Sequence, residues 1–273
     1  MTNRVSVNVW SCSLSRHSSR NAAVETLHKA VGSFLAERAE VCPTGCETVR
    51  NKYLVRARIS EADFRSLLRL WTADVPALGA AKIARVNKNT THRLYGLLRQ
   101  RVVALAEAAA APFRQGTIEI DESDFGPRRV RGQRGRGAAK KIPVIGLLKR
   151  DGKVFTQIVP NGSGIELLSV IRDQVRRPSV IHTDGWKADD GLVLDGFRPQ
   201  RVPHSENEFA RGRRHINGIE SFWGYAKTRL AKQRGLRISK FHDHLKETEW
   251  RWNHRRENLY KLLLKETRRR PLS

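Results

Sequence analysis

From Ser60 onward, apolar residues fall at helical spacing. Phe64, Leu67, Leu68 and Trp71 follow Ser60-Glu61-Ala62-Asp63, a capping-box start with Asp63 in place of the usual Glu. A second short helix is predicted over Ala77 to Arg85. A third, capped within Asn87-Lys88-Asn89-Thr90-Thr91, runs to about Ala110. Earlier, Asn21 to Ala36 carries a weaker stripe of Val24, Leu27, Val31, Phe34 and Leu35. Ala108 to Pro112 with Arg114-Gln115-Gly116 reads as a helix end and linker, and beyond it the period changes to two. Ile118 and Ile120 alternate with Glu119 and Asp121 over Thr117 to Asp121. Ile142 to Leu148 and Val154 to Val159 are apolar runs separated by the hairpin signal Asp151-Gly152. An amphipathic helix follows over Ile165 to Val175, then a short strand over Ser179 to His182. A further strand over Phe197 to Val202 is confined to a sheet edge by Pro199, and everything from His215 onward is helical. The order β-β-β-α-β-α, with further helices, predicts an α/β domain with a mixed sheet.

Charge changes this picture most. The chain has 52 Lys and Arg against 27 Asp and Glu, a formal net charge of +25. A field of that sign concentrates polyanions, of which nucleic-acid backbones are the commonest in a cell. It gives the basic third helix, with Lys88, His92, Arg93, Arg99 and Arg101, a role beside DNA. Two short helices, a polar turn and a basic third helix together read as helix-turn-helix, against the plainer alternative of a helical bundle with a solvated basic face. The run from Arg128 to Arg136, containing Arg128, Arg129, Arg131, Arg134 and Arg136 among glycines, is a mobile charge that follows phosphates without reading sequence. Arg251, His254, Arg255, Arg256 and Arg268 to Arg270 are expected on a solvated basic surface, whereas Phe222, Trp223, Phe241, Trp250 and Trp252 are expected in the core.

Three cysteines, Cys12, Cys42 and Cys46, make no disulfide framework and imply a reducing cytosol. Cys42-Pro43-Thr44-Gly45-Cys46 resembles one knuckle of a zinc site. A tetrahedral site needs a second pair, which the sequence lacks, so zinc is not expected. No apolar stretch reaches the length of a bilayer span, and no secretory signal is expected at the N-terminus. Three regions emerge: residues 1–40, poorly defined; 41–112, a helical DNA-binding region with a degenerate knuckle; and 117–273, an α/β domain with C-terminal helices.

Three acids stand where strands and helices would gather them. Asp121 is placed at the end of the first strand. Asp184 follows the buried-looking strand Val180-Ile181-His182, and carboxyl ends of neighbouring strands are where α/β domains build sites. Glu220 borders a core stripe of Ile216, Ile219, Trp223, Ala226 and Leu230. Clustered carboxylates repel one another unless a cation lies between them. Mg²⁺ accepts a few carboxylates and leaves its other positions to water and phosphate oxygens, and a pair of such ions serves in-line displacement at phosphorus. Singly, each acid also has a plain reading as a turn, cap or solvated residue.

In combination these segments resemble bacterial insertion-sequence transposases with a DDE core, of the ISXO-two-like group (family fifteen-ninety-five). The matching stretches are IEIDES, RGRGAAKKIPVIGLLKRDGKV, VIHTDGW, HSENEFARGRRHINGIESFWGYAKTRL and FHDHLKETEWRWNHRRENLYKLLL. The likeness runs from about Ser60 to the C-terminus and is dense from Ile118. The resemblance implies an RNase H-like catalytic domain in which Asp121, Asp184 and Glu220 hold Mg²⁺ or Mn²⁺, as two ions. Asn217 is the alternative at the third position, and Glu220 is preferred because an anion holds Mg²⁺ better than an amide. Lys227, two helical turns beyond Glu220, matches a basic residue that contacts the DNA end in the wider superfamily. The implied activity is 3′-end hydrolysis and then transesterification, by dimers or larger assemblies on the inverted repeats, in a bacterial cytoplasm beside the nucleoid. Glu119 shares a strand face with Asp121, and Asp189, Asn207 and Glu208 are outlying candidates for supporting groups. Relatives often open with a zinc ribbon of two cysteine pairs, and here only Cys42 and Cys46 appear. The competing readings are an inactive or domesticated DNA-binding protein derived from a transposase, and a metal nuclease of the same fold.

Overall fold

The computed structural model describes residues 51–109, 113, 115–126, 141–150, 152–160, 163–183, 189–201, 216–233 and 236–273, with backbone alone at 189, 190, 194 and 201. Three helices come first: α1 (Glu61–Thr72), α2 (Ala77–Ala84) and α3 (Lys88–Ala108). Each begins or ends for a visible local reason. Ser60 Oγ accepts the Asp63 N–H at 3.0 Å and donates to the Asp63 carboxylate at 2.9 Å, the expected cap. α2 stops where Arg85 takes a left-handed φ of 54°. Asn87 Oδ1 then accepts the Asn89 N–H at 2.8 Å and starts α3.

The apolar faces of these helices, Phe64, Leu67, Leu68 and Trp71 with Leu94 and Leu98, form one core, and its other side comes from the far end of the chain: Trp250, Leu263 and Leu272. The Tyr53–Val55 segment is tied to Leu272 by backbone bonds of 2.9 and 2.8 Å. Arg101 of α3 donates to the carbonyl of Arg270 at 2.6 Å.

The sheet holds β1 (Thr117–Phe125), β2 (Ile142–Lys149), β3 (Val154–Ile158), β4 (Val180–Thr183) and β5 (Arg198–Arg201), in the order β3-β2-β1-β4-β5. β1, β2 and β3 pair antiparallel, whereas β4 and β5 are parallel additions beside β1. This mixed five-stranded sheet is the RNase H-like architecture that the resemblance implies. β5 with Pro199 is an edge strand, as expected from a residue that cannot donate to a ladder. One face of the sheet carries α4 (Gly164–Gln174) over Ile118, Ile120, Ile145 and Leu147. The other lies under α6 (Asn217–Ala231) and α7 (Ile238–Asn253), where Val144, Leu148 and Phe125 meet Ile219, Phe222 and Trp223. Two further helices complete the described chain, α5 (Asp189–Leu194) and α8 (Leu259–Arg269).

The outer edge of β3 is closed by side chains of α7. Asn253 accepts from the Val154 N–H at 2.7 Å and donates to its carbonyl at 2.9 Å. Glu249 accepts from the Thr156 N–H at 2.8 Å and from its hydroxyl at 2.7 Å. An edge strand left open would present unpaired backbone groups, and these residues fill that place.

β1 departs from its sequence reading. It continues four residues past Asp121, to Phe125, so Asp121 lies in mid-strand and not at the strand's end. The reason is a change of buried face. Ile118 and Ile120 face α4, but beyond Asp121 it is Ser123 and Phe125, on the opposite face, that are buried, while Glu122 and Asp124 are exposed. An alternation counted on one face alone ends where the other takes over.

Candidate active site

Asp121 is half-buried, and its Oδ1 accepts the N–H of Glu122 at 2.7 Å. Its cross-strand partner is Gly146 of β2. Directly opposed residues of an antiparallel pair project to the same face. A Cβ built on Gly146 would lie 2.5 Å from Trp223 Cζ2 and 2.9 Å from Ile219 Cδ1, so the glycine admits α6 against the sheet at this point. Asp121 therefore belongs to the face that α6 covers.

Glu119, two residues earlier on that face, is buried. Its carboxylate accepts from Arg150 Nε at 3.0 Å and from the backbone N–H of Ile219 at 3.0 Å. Amides in the first turn of a helix lack intrahelical partners, and a carboxylate there also opposes the positive end of the helix dipole. Glu119 thus anchors the start of α6 to β1. Gly218 makes room for it, since a Cβ at that position would come within 2.7 Å of Glu119 Oε2. From sequence, Glu119 is legible only as a register alternative to Asp121. The signal available is an acid on the Asp121 face of a strand otherwise buried.

Glu220 follows Ile219 directly and is exposed, as is Asn217 in the same first turn. Residues three apart share a helix face, so both candidates for the third position project to one side of α6. Ser221 donates its hydroxyl to the Asn217 carbonyl at 2.6 Å. Lys227 is exposed further along the same helix. The second acid, Asp184, lies outside the described residues. β4, which leads to it, runs parallel to β1 with Glu119 beside His182, so Thr183 stands level with Ile120. Asp121 and Asp184 are the next residues along these two segments. Among the described residues, no group of three His, Cys, Asp or Glu side chains is placed to hold a metal ion.

The basic residues divide. Lys88, His92 and Arg93 are exposed on α3. Arg99, on the same helix, bonds through Nε to Glu247 Oε2 at 2.7 Å. Arg251 corrects the expectation of a solvated surface: it is buried, donating to Glu247 at 2.9 Å and to the carbonyls of Trp71 and Thr72 at 2.6 and 3.1 Å, with its guanidinium 3.9 Å from the Trp71 ring. Arg229 of α6, also buried, donates to Glu247 and to Thr248, and pairs with Asp74 at 3.0 Å. Burial by itself would raise the Glu247 carboxyl. The guanidinia of Arg229, Arg251 and Arg99 outweigh it and hold the group at about 2. Helix-borne arginines ordinarily read as solvated, and the hint in the sequence is the i, i+4 spacing of Glu247 and Arg251. Phe222, Trp223, Phe241 and Trp250 are buried and Trp252 half-buried, as expected. Arg128, Arg129, Arg131, Arg134 and Arg136, the three cysteines, Asn207 and Glu208 lie outside the described residues, as does the side chain of Asp189. Among the described residues, no helix is long and apolar enough to cross a membrane.

The described α/β domain thus joins a mixed sheet to acids on its central strand and on the helix that covers it, in a chain of strongly basic composition. Residues 114–253, just over half of the chain, match the family model described as the ISXO2-like transposase domain. The chain belongs to that family. It is 41% identical over 101 residues to a transposase-like protein of Haemophilus influenzae, a match covering 37% of this chain and 81% of that one. Among solved structures, a pre-cleavage Mos1 transpososome aligns at 14% identity over 89% of this chain and 87% of the other, with a TM-score of 0.30. The Mos1 mariner paired end complex with Mn aligns at 14% identity over 90% and 73%, with a TM-score of 0.33. Both scores are low, so the fold rests on the sheet order itself.

Proposed function

We propose that the chain is an active DDE transposase, with Asp121, Asp184 and Glu220 as its metal-binding acids. The observation that carries this reading is the way β1 and α6 are joined. Glu119 pins the first turn of α6 to the strand that bears Asp121, and Glu220 is the next residue after the anchored amide. β4 brings the chain alongside β1 up to the residue before Asp184. An all-carboxylate donor set, hard and anionic, suits Mg²⁺ or Mn²⁺ and not Zn²⁺, which favours nitrogen and sulfur. Such ions would polarise the scissile phosphate and activate a water or 3′-hydroxyl. The chain's own contribution is to hold the acids rigidly and to neutralise the DNA backbone. Lys227, Arg93 and the run Arg128 to Arg136 are the contacts proposed for that purpose. Arg99, held by Glu247, would reach DNA only through the cleft described below. The substrates are the inverted-repeat ends and target DNA, bound by at least a dimer, because two ends must be joined.

The test is strand transfer with Mg²⁺ or Mn²⁺ on the DNA flanking the protein's own gene, comparing wild type with Asp121→Ala, Asp184→Asn and Glu220→Gln. Joined products from wild type alone are expected. DNA binding by wild type without cleavage or joining would instead make it a noncatalytic binder descended from a transposase. Cleavage without joining would make it a nuclease.

A further inference from the structure

The α1–α2 turn, α3 and the junction of α6 with α7 form a cleft of about 670 Å³ whose lining includes neither Asp121 nor Glu220. Six cationic side chains line it, namely Arg99, Arg229, Lys232, Arg237, Lys240 and Arg251, against the carboxylates of Asp74 and Glu247. The floor is fixed, because Arg229, Arg251 and Glu247 are all at least nine-tenths buried. Two carboxylates do not balance that floor and its walls. An excess of cations beside buried groups is costly unless an anion joins them.

Further features point the same way. His244 Nδ1 and Tyr95 Oη, both in the lining, are buried and without a hydrogen-bond partner among the described residues. Buried polar atoms are ordinarily bonded. α7 begins in the cleft at Arg237, which makes no side-chain cap, so its first amides add to the positive end of a sixteen-residue helix. His244 is held neutral in keeping with this field: burial, then Arg99, lowers it to about 4.

We infer that this cleft is a phosphate-binding site and that its ligand is the backbone of a DNA strand, a conclusion that rests on the reading of the chain as a DNA-acting protein. Arg237, Lys240 and His92 are exposed around it, with no ion pair among the described residues, and Arg93 and Lys88 continue the charge along α3. An extended polyanion meets cations that continue from the cleft along α3 more fully than a compact mononucleotide does. Arg229 stands nine residues beyond Glu220 on α6, two and a half turns on, so the cleft and Glu220 lie on opposite sides of that helix.

The experiment uses the full chain and the double variant Arg237→Glu, Lys240→Glu, whose exposed positions leave the core intact. Binding of a generic DNA duplex is followed by fluorescence anisotropy across a salt series. Removing one phosphate neutralisation lowers the slope of log K against log salt by about 0.9, so the variant's slope is expected to be shallower by about 1–2. In parallel, bound duplex should protect Lys240 from acetylation in the wild type. An unchanged slope, or equal labelling of Lys240 with and without duplex, overturns the site while leaving the transposase reading standing. Failure of the wild type to bind duplex overturns both. Saturable binding of pyrophosphate or ATP to wild type, abolished in the variant and not displaced by duplex, would make the cleft a small-molecule site and overturn the assignment to DNA.

Discussion

Glu119 and Ile219, one hundred residues apart, are joined by a 3.0 Å hydrogen bond from the Ile219 amide to the Glu119 carboxylate. It ties the first turn of α6 to the central strand and so sets where Glu220 stands relative to Asp121. A buried acid adjacent to a proposed metal site looks like a ligand, yet this one is occupied by a helix end and by Arg150.

Glu119→Ala removes the acceptor of the buried Ile219 amide and takes one carboxylate contact from the half-buried Arg150 guanidinium. A loss of about 2–4 kcal/mol in denaturant unfolding is expected. DNA cleavage should fall further than the unfolded fraction accounts for, since the anchor of α6 is gone. Full cleavage by folded Glu119→Ala would show that Glu220 needs no such positioning.

Gly146→Ala tests the close approach of α6. The added methyl would overlap Trp223 and Ile219 and push the helix off the sheet beside Asp121. Overpacking of this kind costs about 1–3 kcal/mol. Thermal denaturation should show the loss, and an unshifted midpoint would mean that α6 yields without strain.

Asn217 and Glu220 share one face of α6, and the third acid is distinguished by mutating each. Glu220→Gln is expected to abolish metal-dependent strand transfer while leaving duplex affinity within about twofold, because it deletes an anionic ligand and no phosphate contact. Asn217→Ala should retain activity within about tenfold. The reverse pattern would assign the position to Asn217.

Acid should unfold the protein in two overlapping stages. His244 is lowered from its ordinary 6.5 to about 4, chiefly by burial, so the unfolded chain takes up its proton first. Its stabilisation is complete above pH 6.5 and is lost as pH falls towards 4. Glu247 is lowered from 4.5 to about 2, so its contribution is present above pH 4.5 and is lost as pH falls towards 2. Glu247→Gln should flatten the lower stage and, by stranding Arg229 and Arg251, cost about 3–5 kcal/mol at neutral pH. A variant whose acid profile matches wild type below pH 4.5 would remove Glu247 from that role.

Much of this protein is local and so is legible in its sequence. The caps at Ser60 and Asn87, the period-two runs of β1 to β3, the edge strand with Pro199 and the apolar stripe of α6 each depend on residues within a few positions of one another. Periodicity reports those directly. The excess of basic residues is likewise a property of composition and needs no fold to be seen. What only the tertiary structure decided is non-local. β1 runs on to Phe125 because a second layer of helices buries its other face. Arg99, Arg229 and Arg251 converge on one carboxylate from three helices, and in isolation each reads as solvated. Glu119 becomes a helix anchor only once Ile219 arrives above it. A side chain's neighbours along the chain determine which element it joins. Whether its charge meets water, a helix end or an opposite charge depends on packing between elements far apart in sequence.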